Sequence, residues 1–155
     1  MSNNLADNKI LVNKMKIPDA KKSAQKIQRL LKIMQQLRDP KSGCPWDIAQ
    51  SSESISPYTI EEAYEVVEAI GNNDPKELCD ELGDLLFQVV FHAQIAKEKG
   101  LFQFSDVLNK IIEKMIRRHP HIFSEKTPGK TIDEQRSDWE AYKSEERQKR
   151  NKKLT

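Results

Sequence analysis

The stretch that decides the fold is TIEEAYEVVEAIGNNDPKELCDELGDLLFQVVFHAQIA, residues 59–96. Thr59 and Glu62 have the Thr-x-x-Glu form of a capping box, and Ile60, Ala63, Tyr64, Val67 and Ile70 recur behind it at helical spacing. Gly71-Asn72-Asn73 ends that helix. Asp74-Pro75 then offers an N-cap and an N1 proline for the next helix, predicted to run to Lys99 with Gly100 just past its end. From Leu85 to Ala96 this helix is apolar almost all round, so it is expected to be buried on several sides. A four-helix monomer could hardly surround it, and a dimer core is the natural answer.

Working outward, a helix is predicted over Ala20–Arg38, with Ile27, Leu30, Leu31, Met34 and Leu37 on one stripe, stopped by Asp39-Pro40. Residues 39–57, including Gly43-Cys44-Pro45-Trp46-Asp47, are expected to be a loop, long enough to be either functional or disordered. Ser105 is expected to cap a fourth helix with the stripe Val107, Leu108, Ile111, Ile112, Met115 and Ile116, closed by Pro120. Thr131 and Glu134 form a further capping box for a last helix bearing Trp139 and Tyr142. No strand-like alternation and no internal repeat stand out. The fold class is all-α, a bundle of four to five helices completed by dimerisation. Residues 1–19 are expected to be a flexible arm whose Ile10, Leu11, Val12 and Ile17 could dock, 20–145 the domain, and 146–155 a basic disordered tail.

The 155 residues carry 26 basic and 24 acidic groups, a net charge of +2 that hides an uneven distribution. Residues 1–58 carry +5, residues 59–84 carry −8 and residues 85–155 carry +5. That balance argues against a strongly basic nucleic-acid binder, and no specific nucleic acid is expected. Five glycines are few against the ~7% average, which favours helix. No run approaches the ~20 apolar residues of a membrane span, and the first twenty residues lack a signal-peptide core. Cys44 and Cys79 make neither a disulfide framework nor a metal-ligand spacing. The expected location is cytoplasmic.

The acidic block is ordered. Glu61, Glu65 and Glu68 fall within about 60° of one another on a helical wheel, with Glu62 beside them. On the following helix Glu77, Asp80, Glu81 and Asp84 form a second narrow stripe. A solvated helix face usually interleaves Lys and Arg at i+4, but Glu61/Glu65, Glu77/Glu81 and Asp80/Asp84 are like-charge pairs, each costing roughly 0.2–0.5 kcal/mol in an isolated helix. A cation between the two helices removes the penalty. Spacing of i and i+3 on each helix makes Glu62, Glu65, Glu81 and Asp84 four converging carboxylates, an oxygen-only set that favours Mg²⁺, or Mn²⁺, over iron or zinc. Gly83, inside the second pair, is expected to permit close approach. The capping box and the metal compete for the one carboxylate of Glu62.

A di-iron carboxylate bundle needs Glu-x-x-His, and the chain has none. His92 is read as a core or interface histidine, and His119-Pro120-His121 as helix termination and a turn. A metal with open positions points to a phosphate substrate. Lys110, Lys114, Arg117 and Arg118 gather near the end of the fourth helix, where they complement its dipole and where guanidinium forks suit phosphate oxygens. Trp46, Tyr58 and Trp139 are candidates to stack on a base. No Walker-type glycine loop occurs.

Four ordered blocks carry a resemblance: Leu37-Arg38-Asp39-Pro40 through Gly43-Cys44-Pro45-Trp46-Asp47, Pro57 through Glu65, Glu81 through Phe91, and Arg117-Arg118-His119-Pro120-His121-Ile122-Phe123. Over roughly residues 27–145 the chain resembles the MazG family of nucleoside triphosphate pyrophosphohydrolases. The resemblance implies an all-α homodimer and Mg²⁺-dependent hydrolysis of a nucleoside triphosphate to the monophosphate and pyrophosphate, with house-cleaning of non-canonical nucleotides among its uses. It places the family's metal motif on Glu62, Glu65, Glu81 and Asp84, and its basic nucleotide contacts around Lys114, Arg117 and Arg118. A spare carboxylate, Glu61 or Asp80, is expected to orient the attacking water. The rival expectation is a non-catalytic dimer that binds nucleotide or another protein through the same surface.

Overall fold

The computed structural model describes residues 12–124 and 129–154, and these contain no strand. The helices are α1 (Ala20–Leu37), α2 (Pro45–Ile48), α3 (Ser52–Asn72), α4 (Pro75–Glu98), α5 (Phe104–Arg118), α6 (Pro120–Phe123) and α7 (Ile132–Lys153). By its contacts the chain divides into a unit Pro18–Val107 and a second unit that takes Leu108 onward. The sequence predicts one domain over 20–145. The division falls inside α5, because Phe104 and Val107 in its first turn pack in the core of the first unit.

That core is Met34, Ile55, Val90, Phe91, Ala93, Ile95 and Phe104, with Ile27, Leu30, Leu31, Phe87 and Val107 packed against it. It lies on the C-terminal half of α4, where the hydrophobic run predicts burial. Phe91 is almost fully buried, a burial that contributes roughly 1.5–3 kcal/mol. The other half of the α3–α4 hairpin is left bare. Ile60, Tyr64, Val67 and Ile70, the stripe expected to face a core, are 57–71% exposed, and Leu82, Leu86 and Val89 are also exposed. Periodicity identifies an apolar face, but no element among the described residues covers it.

Several boundaries move, each for a physical reason. Residues 39–57 are not one loop. Arg38 closes α1, the Asp39 carboxylate accepts from the Lys41 and Ser42 amides, and Gly43 folds back so closely that a Cβ there would lie 2.4 Å from the Leu37 carbonyl oxygen. Only glycine fits that turn. α3 starts at Ser52 rather than Thr59: Ser51 and Ser54 form the capping box. Pro57 sits inside the helix, and the Glu53 carbonyl it leaves without an amide donor accepts from Ser56 Oγ at 2.9 Å. α4 keeps its predicted ends, with Asp74 accepting from the Lys76 and Glu77 amides. Its exit turns at Gly100, φ +67°, with Leu101 N–H bonded to Ala96 O in the six-to-one pattern of a Schellman motif.

α5 begins at Phe104, so Ser105 is not its cap; Asp106 accepts the Gln103 amide instead. α7 has the expected Thr131–Glu134 box but continues to Lys153, where the sequence predicts disorder from 146. Ion pairs Lys143–Glu140 and Lys149–Glu145 brace it. Of the arm's apolar residues, Ile10 and Leu11 lie outside the described residues and Ile17 is exposed. Thr155 also lies outside them.

Candidate functional site

The capping box at Ser51 frees Thr59 and Glu62 for other work. Thr59 Oγ1 lies 2.9 Å from His92 Nε2 and 3.3 Å from Gln88 Oε1, which ties α3 to α4 in antiparallel register. His92 is half-buried and held in a polar contact between helices. One turn further along α3 and one turn back along α4, Glu62 meets Glu81 and Asp84. One carboxylate oxygen from each of the three lies within 4.8 Å of the others.

The electrostatics of this cluster are one-sided. Glu62 is pushed up to about 7, by burial first and then by the hydrogen bond and charge of Glu65 and the charges of Asp84 and Glu81. Glu81 is also raised, by burial and then chiefly by Glu65 and Asp84. Glu62 Oε2 and Glu81 Oε2 are buried with no hydrogen-bond partner, and none of the four carboxylates forms an ion pair among the described residues. Buried carboxylate oxygens without donors are costly. Together they fit a hard divalent cation, which takes oxygen ligands and needs no nitrogen or sulfur.

Glu65 belongs to the cluster electrostatically but is not one of the three tightly converging groups. Glu61 and Asp80 are exposed and stand outside those three. A Cβ at Gly83 would meet nothing within 4 Å, so the close approach expected there is not what the glycine provides.

Trp46, on α2, and Tyr58, one turn before Glu62 on α3, form an edge-to-face pair with centroids 5.9 Å apart. Both rings remain partly exposed. Trp139 is committed to packing, with its ring under Arg118 (4.6 Å) and beside His119 (5.6 Å). Lys114 makes no hydrogen bond or ion pair among the described residues. Arg117 and Arg118 are both engaged by Glu146.

Two residues escape sequence reasoning here. Glu146 falls in the expected disordered tail, although Trp139, Tyr142 and Glu146 share one face at i, i+3 and i+7. Arg38 sits in a block that reads as a helix stop. Its guanidinium forks onto Glu98 through Nε at 2.8 Å and Nη2 at 3.1 Å, while Nη1 donates to the Asp47 and Gln50 carbonyls. It therefore pins the segment that carries Trp46.

Comparison with known proteins agrees with this architecture. Residues 50–123 match the family model of the MazG nucleotide pyrophosphohydrolase domain. The chain is 53% identical over 121 residues to a nucleoside triphosphate pyrophosphohydrolase of Escherichia coli, covering 78% of this chain and 46% of that protein. It is 47% identical over 123 residues to the nucleoside triphosphate pyrophosphohydrolase/pyrophosphatase MazG of Thermotoga maritima, covering 79% and 46%. The crystal structure of a mazG-related protein from Thermotoga maritima superposes with a TM-score of 0.60 at 30% identity, covering 76% of this chain and 98% of that one. The chain spans slightly under half the length of these two curated relatives.

Proposed function

This chain belongs to the MazG family, and from that premise we propose that it hydrolyses nucleoside triphosphates to nucleoside monophosphate and pyrophosphate with the help of Mg²⁺ or Mn²⁺. The observation that carries the reading is the convergence of Glu62, Glu81 and Asp84 around buried oxygens that have no donor among the described residues. Glu62, Glu81 and Asp84, with Glu65 behind them, hold the cation. A divalent ion bound there supplies positive charge against the phosphate oxygens and makes water more acidic.

The other roles fall to the chain's own side chains. Glu61 or Asp80, exposed beside the cluster, orients the water for attack at the α-phosphorus. Lys114, Arg117 and Arg118 are assigned to the negative charge that develops on departing pyrophosphate. Trp46 and Tyr58 stack on the base, a role to which an exposed aromatic pair one turn from Glu62 is suited. The protein works as a cytoplasmic homodimer. The exposed Ile60, Tyr64, Val67, Leu82, Leu86 and Val89 supply an apolar face of the kind that a second copy covers.

The test is direct. Incubated with a panel of nucleoside triphosphates and Mg²⁺, the protein releases pyrophosphate, and chelation stops the release. Glu62→Gln combined with Asp84→Asn abolishes it while the circular dichroism spectrum stays helical. Retained turnover in that variant sinks the site, and nucleotide binding without pyrophosphate in the unmodified protein favours a binding module instead.

A further inference from the structure

Arg117 and Arg118 close α5 side by side, and a single carboxylate holds both. Glu146 Oε1 accepts from Arg117 Nη2 at 2.5 Å and from Arg118 Nε at 3.2 Å, and Oε2 accepts from Arg118 Nη2 at 2.5 Å. Arg118 is buried and its guanidinium lies over the Trp139 ring, 4.6 Å from the centroid. Two guanidinium forks aimed at the oxygens of one anionic group are the geometry by which arginines take a phosphate. The carboxylate supplies one negative charge against two positive ones. Lys114, one turn earlier, adds a third cation with no partner among the described residues, and Glu113 forms no ion pair with either arginine. The cluster is therefore under-neutralised by its occupant.

The helix that delivers Glu146 has little apolar anchorage. α7 has no fully buried residue along its whole length. Its ties within the same unit include half-buried Trp139 and Tyr142 and the Lys130–Asp138 pair. A helix held mainly by charge can be released by a competing charge, because the displaced carboxylate recovers its water as the arginines gain a better-matched anion.

We propose that Glu146 is an intrachain stand-in for phosphate, so that a polyphosphate binding Arg117 and Arg118 displaces it and unlatches α7 from α5. This rests on the reading of the chain as a triphosphate-processing protein for the identity of the anion. It does not rest on that reading for the contact itself. The state with Glu146 on both arginines is the latched one. Anion binding and α7 docking then exclude each other.

The experiment uses the full chain with chelator present, so that hydrolysis plays no part, and inorganic tripolyphosphate as the probe in titration calorimetry. Glu146→Gln is expected to bind tripolyphosphate about tenfold more tightly than the unmodified protein. Glu145→Gln removes the same charge from the neighbouring position, whose ion pair is with Lys149, and is expected to leave affinity unchanged. Equal gains in the two variants mean that net charge alone is at work, and overturn the proposal. In the unmodified protein, saturating tripolyphosphate is expected to speed hydrogen exchange across residues 132–153. Unchanged protection there overturns the proposal even if Glu146→Gln folds poorly. Pyrophosphate release from nucleotides with Mg²⁺ is scored separately: its absence alongside intact displacement removes the catalytic reading, and the reverse result removes the latch.

Discussion

The carboxylates of the α3–α4 hairpin and the arginines at the end of α5 are both dense clusters of like charge, yet they stand in opposite condition. Arg117 and Arg118 have a partner in Glu146, brought from far along the chain. Glu62, Glu81 and Asp84 are joined by a further carboxylate, Glu65, but by no cation among the described residues, and two of their oxygens are buried without a donor there. A fold that served stability alone would pair both clusters, since buried polar atoms without partners cost free energy. The contrast separates charge that the chain satisfies from charge that it reserves for something else. It also gives opposite signs to the same kind of substitution in the two places.

The largest effect expected is on turnover. Glu62→Gln lowers Mg²⁺-dependent pyrophosphate release by about 100-fold or more, because removing one ligand from so small a donor set misplaces the charge the reaction needs. Without metal, the same substitution is expected to raise Tm, by about 2 °C, since it removes one member of a repelling set. Glu146→Gln does the reverse in the absence of anions and lowers Tm. A fall in Tm for metal-free Glu62→Gln would break the comparison, because it would mean that the carboxylates support the fold.

The next largest effect tests a second paired cluster. Arg38 is 9% exposed and its side chain satisfies Glu98 and two carbonyls at once. Arg38→Met removes the guanidinium donor from the Asp47 and Gln50 carbonyls, of which the Asp47 carbonyl keeps the Gln50 amide at 3.3 Å. Glu98, more than a third exposed, recovers water and softens the loss. The expected cost is about 3 kcal/mol, or on the order of 8 °C in Tm. Trp46 fluorescence in a Trp139→Phe background should shift with it, since Arg38 pins the segment carrying that ring. A loss no greater than that of Glu98→Gln would show that the carbonyl bonds contribute nothing.

Much of this was legible in the residues. Asp74-Pro75, Gly100 and the Thr131–Glu134 box mark helix ends because their signals are local: a cap needs only its own next turn. Glu62, Glu81 and Asp84 were legible because i, i+3 spacing on two helices joined by a short turn converges whatever surrounds it. The start of α3 was hidden by a competing local signal. Thr59 and Glu62 imitate a capping box, and Pro57 looks like a breaker until Ser56 is seen to take the carbonyl it strands. The partners of Arg38 and Arg118 were not legible, since Glu98 and Glu146 lie 60 and 28 residues away and no periodicity links them. Nor does the Ile60–Ile70 stripe say what covers it. A pattern reports that a face is apolar, and coverage belongs to another element or another chain.

The smallest effect, and the one that sharpens the contrast most, is the pH dependence of metal-free stability. Glu62 has its folded value raised from 4.5 to about 7. The folded state therefore holds that proton more tightly than the unfolded chain, and the stability it contributes is complete below 4.5 and is lost as pH rises through about 7. Glu146 has its folded value lowered from 4.5 to about 2, so its contribution is complete above 4.5 and is lost as pH falls toward 2. Denaturant titrations in chelator across this range should show each variant flattening one side only. Relative to the unmodified protein, Glu62→Gln loses the decline between 4.5 and 7, with Glu81, raised for the same reasons, retaining part of it. Glu146→Gln loses part of the acid-side decline, the remainder belonging to Asp39, Glu53 and Glu134, whose values are also lowered. Added Mg²⁺ should then stabilise the unmodified protein more at pH 8 than at pH 5, because at the lower pH the ion must displace a proton that the cluster has already taken up. Equal stabilisation at the two pH values would mean that proton and cation do not compete, and that the unpaired oxygens of Glu62 and Glu81 are not where the ion binds.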